Sequence, residues 1–321
     1  MRFQQIYGHK KPIAILKSAM AAGRIAHAYL FYGQEGVGKK TVAAVFARAL
    51  NCPAADPPCD VCPSCRKAEH KNHPNIIPVV AEGQFIKIDA VKEIRAKMAF
   101  RPEGGKRVFI LQDADKMNAP AANALLKTLE EPSADNVLIL TSARPHALPV
   151  TILSRCQALR FAPLQRTEVA GFLCEQQGFA ADEAEAIAAV SLGSIGEAIA
   201  MKKEDYMSVR NGILKRLAED DPSDLIKRLA FARLLGTERQ EITQRLQIMQ
   251  NAYRDSLVLK ETGESEMLLF KDWAAALAAL AARLSGREIL KNMAVVGHAM
   301  DAISRNSNKT LTLEAMLVSL S

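Results

Sequence analysis

The sequence of 321 residues predicts an α/β fold built on a parallel sheet and continued by helical segments. Three observations predict it. Short apolar runs, "AYLFY" at 28–32, "RVFIL" at 107–111 and "VLILT" at 137–141, have the length of strands and lack polar alternation, as in strands buried on both faces. Between these runs, apolar residues recur at helical spacing. After Pro163 the strand-like runs stop, and the remainder is helical and rich in Ala, Leu and Arg.

Ala28–Tyr32 reads as a buried strand that runs into the glycine-rich "GQEGVGKKT" at 33–41. Beyond that loop Val42, Val45, Phe46, Ala49 and Leu50 recur at i, i+3, i+4, i+7 and i+8, one face of a helix. "NIIPVV" and "FIKI" (85–88) read as further strands. The second leads into a helix that Asp89 would cap, with Val91, Ile94 and Met98 on one face. Arg107–Leu111 is the next strand. Asn118 and Pro120 open a helix through Ala124, Leu125, Leu126 and Leu129, which Pro132 closes. Val137–Thr141 is another strand, and the alternation runs to about Phe161. Such alternation implies a parallel sheet covered on both faces. Thr167–Met201 reads as short helices with turns at Gly178 and "SLGSIG". From about Asp205 the pattern is helical, including Asp272–Ser285 and Arg287–Ile303 with broad Ala/Leu faces. Three domains are expected: α/β at 1–162, a small three-helix domain at 163–206 and a larger helical domain at 207–321.

Composition narrows the functional classes. Hydrophobic residues make up 49% and charged residues 24%, a globular balance. The net charge of +7 favours work near an anion such as DNA or nucleotide. Aromatics are only 5%, with the single Trp273, which disfavours base-stacking platforms of the single-strand-binding kind. The opening residues lack the apolar core of a secretory signal, and the longest near-apolar run, Trp273–Ala282, falls short of the roughly 20 residues a membrane crossing needs. A cytoplasmic protein without membrane partners is expected.

In the glycine loop, Gly33, Gly36 and Gly38 let backbone N–H groups turn inward as a nest for phosphate oxygens, and Lys39 is placed to reach the outer phosphates. Strand, loop and helix follow in the order such a loop requires. Hydrolysis needs more, because a hydroxyl after the lysine and a carboxylate ending a second strand hold magnesium. Lys40 stands where the hydroxyl belongs, and Thr41 is one residue late, about 100° around the helix. In "VFILQDADKM" Gln112 stands in the carboxylate position, with Asp113 next to it. Asp113 and Asp115 read equally well as caps of the following turn. Magnesium is therefore not expected, and the loop reads as a retained frame.

Four of six cysteines, Cys52, Cys59, Cys62 and Cys65, fall in one short stretch, an insertion at about 51–75. Paired turns of this spacing suit a tetrahedral zinc ion held by thiolates. His70 and His73 are alternative ligands, ranked behind four thiols that already close a site. Nothing basic or aromatic lies between the cysteines, so the zinc reads as structural rather than as a nucleic-acid reader. Cys156 and Cys174 read as buried apolar residues.

Several stretches together, "GRIAHAYLFYGQEGVGKKT", "KMNAPAANALLKTLEEP", "LPVTILSRCQALRF" and the cysteine insertion, resemble the clamp-loader subunits of bacterial DNA polymerase III, which are AAA+ proteins. The resemblance covers the first two segments strongly and the last weakly. It implies a RecA-like P-loop domain, a three-helix lid and a helical collar that joins subunits, and it implies the same zinc module. In that family a motor branch (gamma/tau) hydrolyses ATP and a delta-prime branch generally does not. The motor lid carries a nucleotide-sensing arginine after Gly-Ser, and the matching residue here is Gly196. With Lys40 and Gln112, this makes the chain most similar to the delta-prime branch. Ser154-Arg155-Cys156 resembles the motif whose arginine is donated to ATP in the neighbouring subunit, although an isolated Ser-Arg-Cys would more simply pair its arginine with a carboxylate.

The implied partners are gamma/tau, delta, the sliding clamp indirectly, and primer–template DNA, with Lys92, Arg95 and Lys97 as candidate backbone contacts. Tyr7–Lys11 lies where the family places adenine contacts, so retention of ADP or ATP stays open. Modest basic clusters at Lys10-Lys11, Arg66-Lys67 and Lys202-Lys203 read as solvated faces. Two other functions compete with the non-motor reading: a gamma-like ATPase using Thr41 and Asp113, and a zinc-dependent nucleic-acid-binding protein.

Overall fold

The computed structural model describes residues 1–102, 104–132, 135–203, 206–219 and 224–320. The side chains of Lys202 and Lys203, and the boundary expected at Asp205, lie outside the described residues. The chain divides into two compact units, residues 1–179 with 191–199, and residues 180–190 with 200–321.

The first unit contains α1 (Lys10–Ala21), β1 (Ala28–Tyr32), α2 (Lys39–Leu50), α3 (Pro63–Glu69), β2 (Ile76–Val79), α4 (Ile88–Met98), β3 (Arg107–Leu111), α5 (Ala119–Glu130), β4 (Asn136–Ser142), α6 (Val150–Leu153), β5 (Gln157–Arg160), α7 (Arg166–Gln177) and the start of α9 (Ile195–Lys203). Its five strands are parallel in the order β2-β3-β4-β1-β5. Leu30 pairs with Leu140, and Phe109 with Leu138, so apolar residues of neighbouring strands stack in register. Side chains alternate between the two faces of a strand. Leu30, Phe109, Leu111, Leu138 and Leu140 face a core completed by Val91 and Ile94 of α4 and by Ala121, Leu125 and Leu129 of α5. On β1 the intervening Tyr29 sets its ring edge-on to Phe46 of α2, with 5.4 Å between centroids. Both sheet faces are therefore helix-covered, as the unbroken apolar strands require.

Two local readings need correction. "FIKI" is not a strand: Ile86 makes one isolated bridge with Met117, and Ile88 already begins α4. Asp89 does not cap that helix. Lys87 is the N-cap without a side-chain bond, and Asp89 sits in the first turn, where a carboxylate still suits the helix dipole. The strand β5 was not foreseen, because at this sheet edge only Leu159 of its four residues is buried. Asn118 does cap α5, its Oδ1 accepting from the N–H of Ala121 at 3.0 Å, and Pro120 stands in the first turn, where its missing N–H costs nothing.

The second unit is helical throughout its described residues: α8 (Ala181–Val190), the end of α9, α10 (Tyr206–Glu219), α11 (Leu225–Leu234), α12 (Arg239–Thr262), α13 (Ala274–Arg283), α14 (Gly286–Ser304) and α15 (Lys309–Ser319). The long α12 packs against α10, α13 and α14, and α15 packs against α11 and α14. Arg210 is fully buried here, paired with Asp272 and lying 5.6 Å from the centre of the Phe270 ring. A buried cation is tolerated because carboxylate, amide and aromatic face replace its water. Among the described residues no helix is long and apolar enough to cross a membrane.

The cap at α5 gives a direct test of the local argument. Asn118→Ala is expected to lower stability by about 1 kcal/mol, read as a lower urea midpoint with an unchanged slope.

Candidate functional site: a P-loop cleft

The carboxyl ends of β1, β3 and β4 lie side by side and bring three loops together: Gly33–Gly38, Gln112–Asp115 and Ser142–Arg144. Ligands of open α/β sheets bind at this edge. A cleft of about 970 Å³ lies there, lined by the glycine loop, Asp113, Asp115, Lys116 and Arg144, by Tyr7 and His9, and by Ser194–Glu197. Its size suits a small-molecule site.

The glycine loop is held from both sides. Inside it, the Lys39 Nζ donates to the carbonyls of Gly33 (2.6 Å) and Gln34 (2.7 Å). Outside it, the Ser194 Oγ donates to Glu35 O (2.9 Å), the Gly196 N–H to Gly36 O (2.9 Å) and the His9 Nε2–H to Val37 O (2.6 Å). Gly36 (φ +74°) and Gly196 meet backbone to backbone, and a Cβ on Gly196 would lie 2.8 Å from the Gly36 Cα. Gly196 thus lacks a side chain, and the packing has no room for one. Burial lowers the Lys39 pKa, an effect that nearby Asp113 and Glu35 oppose. Burial likewise lowers that of His9, against the hydrogen bond to Val37.

Lys40, Thr41 and Asp113 line the cleft as the sequence placed them. The Lys40 Nζ bonds Asp113 Oδ2 at 2.9 Å, and Lys116 approaches the same oxygen at 3.5 Å. Asp113 adopts φ +55° and starts the following 3-10 turn without capping it through its side chain. Asp115 accepts from the Ser142 Oγ (2.8 Å), the Ala143 N–H (3.3 Å) and Arg144 (3.1 Å). Burial alone would raise the Asp115 carboxyl, but these bonds outweigh it and hold the pKa below the ordinary value. Gln112 uses its backbone N–H to bond Val79 O at 2.9 Å. Magnesium needs several oxygen ligands in octahedral array. Here Asp113 is paired with Lys40, and Asp115 with Ser142 and Arg144, so both carboxylates already have protein partners.

The sequence missed His9 and Ser194 as supports of the loop. His9 was legible only within Tyr7–Lys11, the stretch that the resemblance links to adenine, and its left-handed backbone (φ +51°) had no sequence signal. Tyr7 lies in the cleft, its hydroxyl 2.5 Å from Glu175 and its ring edge-on to Phe172.

Arg155 follows α6. It donates to Thr151 O at 3.0 Å and pairs with Glu130 at 2.9 Å, both partners substantially exposed. Ser154 is the C-cap of α6, and the half-buried Cys156 has its thiol pushed up to about 12 by burial. Lys92, Arg95 and Lys97 lie on the exposed face of α4, opposite Val91 and Ile94, with Lys92 paired to Asp89 (3.1 Å) and Lys97 to Glu93 (2.6 Å).

Cys52, Cys59, Cys62 and Cys65 gather their sulfurs within 4.8 Å of one another. Three of those sulfurs each accept a backbone N–H at 3.4 Å, from Cys59, Cys62 and Cys65, which favours thiolate over thiol. Backbone N–H groups of Val61 and Cys62 lower the Cys59 pKa to about 6. The donor set fits a tetrahedral soft-metal site. His73 is not among the clustered ligands. It accepts the Asn75 N–H on Nδ1 (3.1 Å) and bonds Ser64 through Nε2 (3.0 Å).

The family model described as "DNA polymerase III, delta subunit" matches residues 8–165, the span of this cleft's main loops. The chain is 34% identical over 209 residues to the DNA polymerase III subunit delta' of Bacillus subtilis, covering 64% of this chain and 62% of that protein. It is 43% identical over 137 residues to subunit delta' of Pseudomonas aeruginosa, covering 41% of this chain and 42% of that one. Subunit tau of Bacillus subtilis matches at 32% identity over 222 residues, 67% of this chain and 39% of tau. The chain thus matches about two fifths to three fifths of the length of these relatives. Over residues 8–165 the chain resembles the clamp-loader subunits of DNA polymerase III, delta-prime and tau among them.

Proposed function

We propose that the protein is a non-motor subunit of a DNA polymerase III clamp loader, with a P-loop that does not hydrolyse ATP and an arginine, Arg155, offered to the ATP site of a neighbouring gamma/tau-type subunit. Delta-type subunits complete the proposed complex, which would place a sliding clamp on primed DNA in the cytoplasm. Three domains are proposed within the chain: a P-loop domain at 1–162, a lid at 163–206 and a collar at 207–321. One observation carries the reading: the Lys40 ammonium is bonded to Asp113 where a working site would hold magnesium. Gln112 and Gly196 support it, because neither can supply a metal carboxylate or a phosphate-sensing cation. The exposed Arg155 supports the second half. An exposed ion pair is worth about 0–1 kcal/mol, so little opposes its exchange of Glu130 for a phosphate. The zinc module has a structural role in this reading, and Lys92, Arg95 and Lys97 would supply sequence-independent DNA backbone contacts within the ring.

The tau match favours a second reading, in which Thr41 and Asp113 support ATP hydrolysis. Magnesium-dependent turnover by the purified chain, abolished by Lys39→Ala, would establish it and sink the non-motor reading. A primarily zinc-dependent nucleic-acid binder would instead hold DNA tightly as an isolated chain and lose it on zinc removal.

Arg155→Ala should leave the chain folded and lower the DNA-stimulated ATPase of the reconstituted complex by about tenfold or more, the scale of an arginine finger being larger still. An unchanged rate in that complex would refute the donation. Elemental analysis of the purified chain should find stoichiometric zinc. Stripping it with a strong chelator should lower the melting temperature while leaving the unliganded thiols titratable. A chain devoid of zinc, with equal stability before and after chelation, would remove the metal from the assignment.

A further inference from the structure

We infer that Arg48, on the helix α2 that follows the glycine loop, is a positioning residue for the cysteine cluster, acting through Asp60 to hold the Cys59–Cys62 turn in its metal-receiving shape. The inference rests on the zinc assignment proposed above and goes past it. It gives a residue outside the four cysteines a part in metal affinity, and it ties that affinity to α2.

Asp60 is the second residue of Cys59-Asp60-Val61-Cys62, and its backbone is left-handed at φ +67°. A residue other than glycine adopts that conformation at a cost, which Asp and Asn bear most easily. The turn therefore needs holding, and its carboxylate is held. Oδ1 accepts from the Arg48 Nη2, and Oδ2 accepts from the Met1 amine at 2.9 Å. Arg2 stands by the same carboxylate at 3.9 Å and donates to the Cys59 carbonyl at 2.6 Å. Of these cations Arg48 is the buried one, its side chain 9% exposed against 42% for Met1 and 44% for Arg2. Water screens the exposed partners, so the buried guanidinium is the firm anchor. Among the described residues Asp60 is also the one carboxylate that Arg48 pairs with.

The same end of α2 meets the cluster a second time. The Asn51 carbonyl, at the C-cap, accepts from the Ser64 Oγ at 2.7 Å, and Ser64 lies between Cys62 and Cys65. Asn51 in turn donates from its side chain to Ala47 O (3.0 Å) and to Lys106 O (2.9 Å), just before β3. Cys52 follows Asn51 directly. The cysteine turns are thus seated on one helix end that is itself bonded to the sheet. A metal site binds more tightly when its ligands are held before the ion arrives, because the ion then has fewer groups to order. With an apolar chain at position 48, Asp60 would keep only exposed partners, and the turn would loosen although all four thiols remain.

The experiment measures the zinc affinity of the full chain by competition with a chromophoric chelator, for the wild type, Arg48→Met and Arg48→Lys, with circular dichroism showing that each is folded. Arg48→Met should weaken zinc binding by about tenfold, the lower end of the range for outer partners of a metal site. Arg48→Lys, which returns the cation, should recover part of that loss. A merely packing role for Arg48 would lower the melting temperature and leave the affinity at the wild-type value. That result overturns the inference, as does a lysine variant that binds no better than the methionine one. Should Arg48→Met fail to fold, Asp60→Asn carries the test, because asparagine tolerates the left-handed turn and withdraws the carboxylate. It should weaken zinc in the same sense, and unchanged affinity overturns the inference. A wild-type chain that binds no zinc would instead overturn the zinc assignment, and this inference with it, while leaving the donation of Arg155 intact.

Discussion

Five consecutive carbonyls, from Gly33 to Val37, are each held by a donor, and the cleft depends on that constraint. Lys39 takes the first two from within, and Ser194, Gly196 and His9 take the next three from without. Three carbonyls are thus fixed from outside the loop, while the Lys39 ammonium satisfies the other two and places a positive charge inside it. The fixing groups come from distant parts of the sequence: the residue before α1, the first residue of α2, and the turn into α9 with its first residues. The phosphate cradle is therefore a tertiary property. It is bought with positive-φ glycines and a Gly36–Gly196 contact that no side chain could enter.

That contact also bears on the proposal that position 196 does not carry a phosphate-sensing arginine. Under that proposal, a bare loss would leave a gap able to accept a side chain. Here the Gly196 backbone lies within bonding distance of Gly36, so the glycine is built into the support of the loop. The same holds for Lys40. Its ammonium is bonded to Asp113, with Lys116 nearby, and together they balance a carboxylate that would otherwise sit uncompensated in the cleft. Lys40 and Gly196 each have a structural partner, so exchanging either one disturbs the charge balance or the packing around it.

How much of this was legible in the sequence depended on how far apart the interacting residues lie. The strands at 28–32, 107–111 and 137–141 were readable from composition alone, since burial on both faces leaves no polar residue to blur them. The Asn118 cap and Pro120 were readable because capping is a contact over three residues. "FIKI" misled because four apolar-alternating residues fit a strand equally well, and only the pairing partner decides. β5 was hidden for the opposite reason, an edge strand with one buried side chain. In the site, Lys39, Lys40 and the four cysteines were fixed by local spacing. His9 and Ser194 were not, since each supports the loop by one hydrogen bond across a long sequence separation, which the local pattern around Tyr7–Lys11 and Gly193-Ser194 does not reveal.

Lys39 and Arg155 show how environment separates two cations of similar charge. Lys39 is buried, its ammonium bonded to two backbone carbonyls, and burial already disfavours its charged form. Leaving that position would strand two acceptors and expose a preformed loop to rearrangement, so Lys39 stays and holds shape. Arg155 is about one-third exposed and opposite a half-exposed Glu130, where water screens the pair. A guanidinium keeps its charge at any working pH and presents a planar fork. Exchanging one exposed oxyanion for another therefore costs it little. The two environments thus assign the buried lysine to scaffold and leave the surface arginine able to act on a partner, the division of labour on which the proposed function depends.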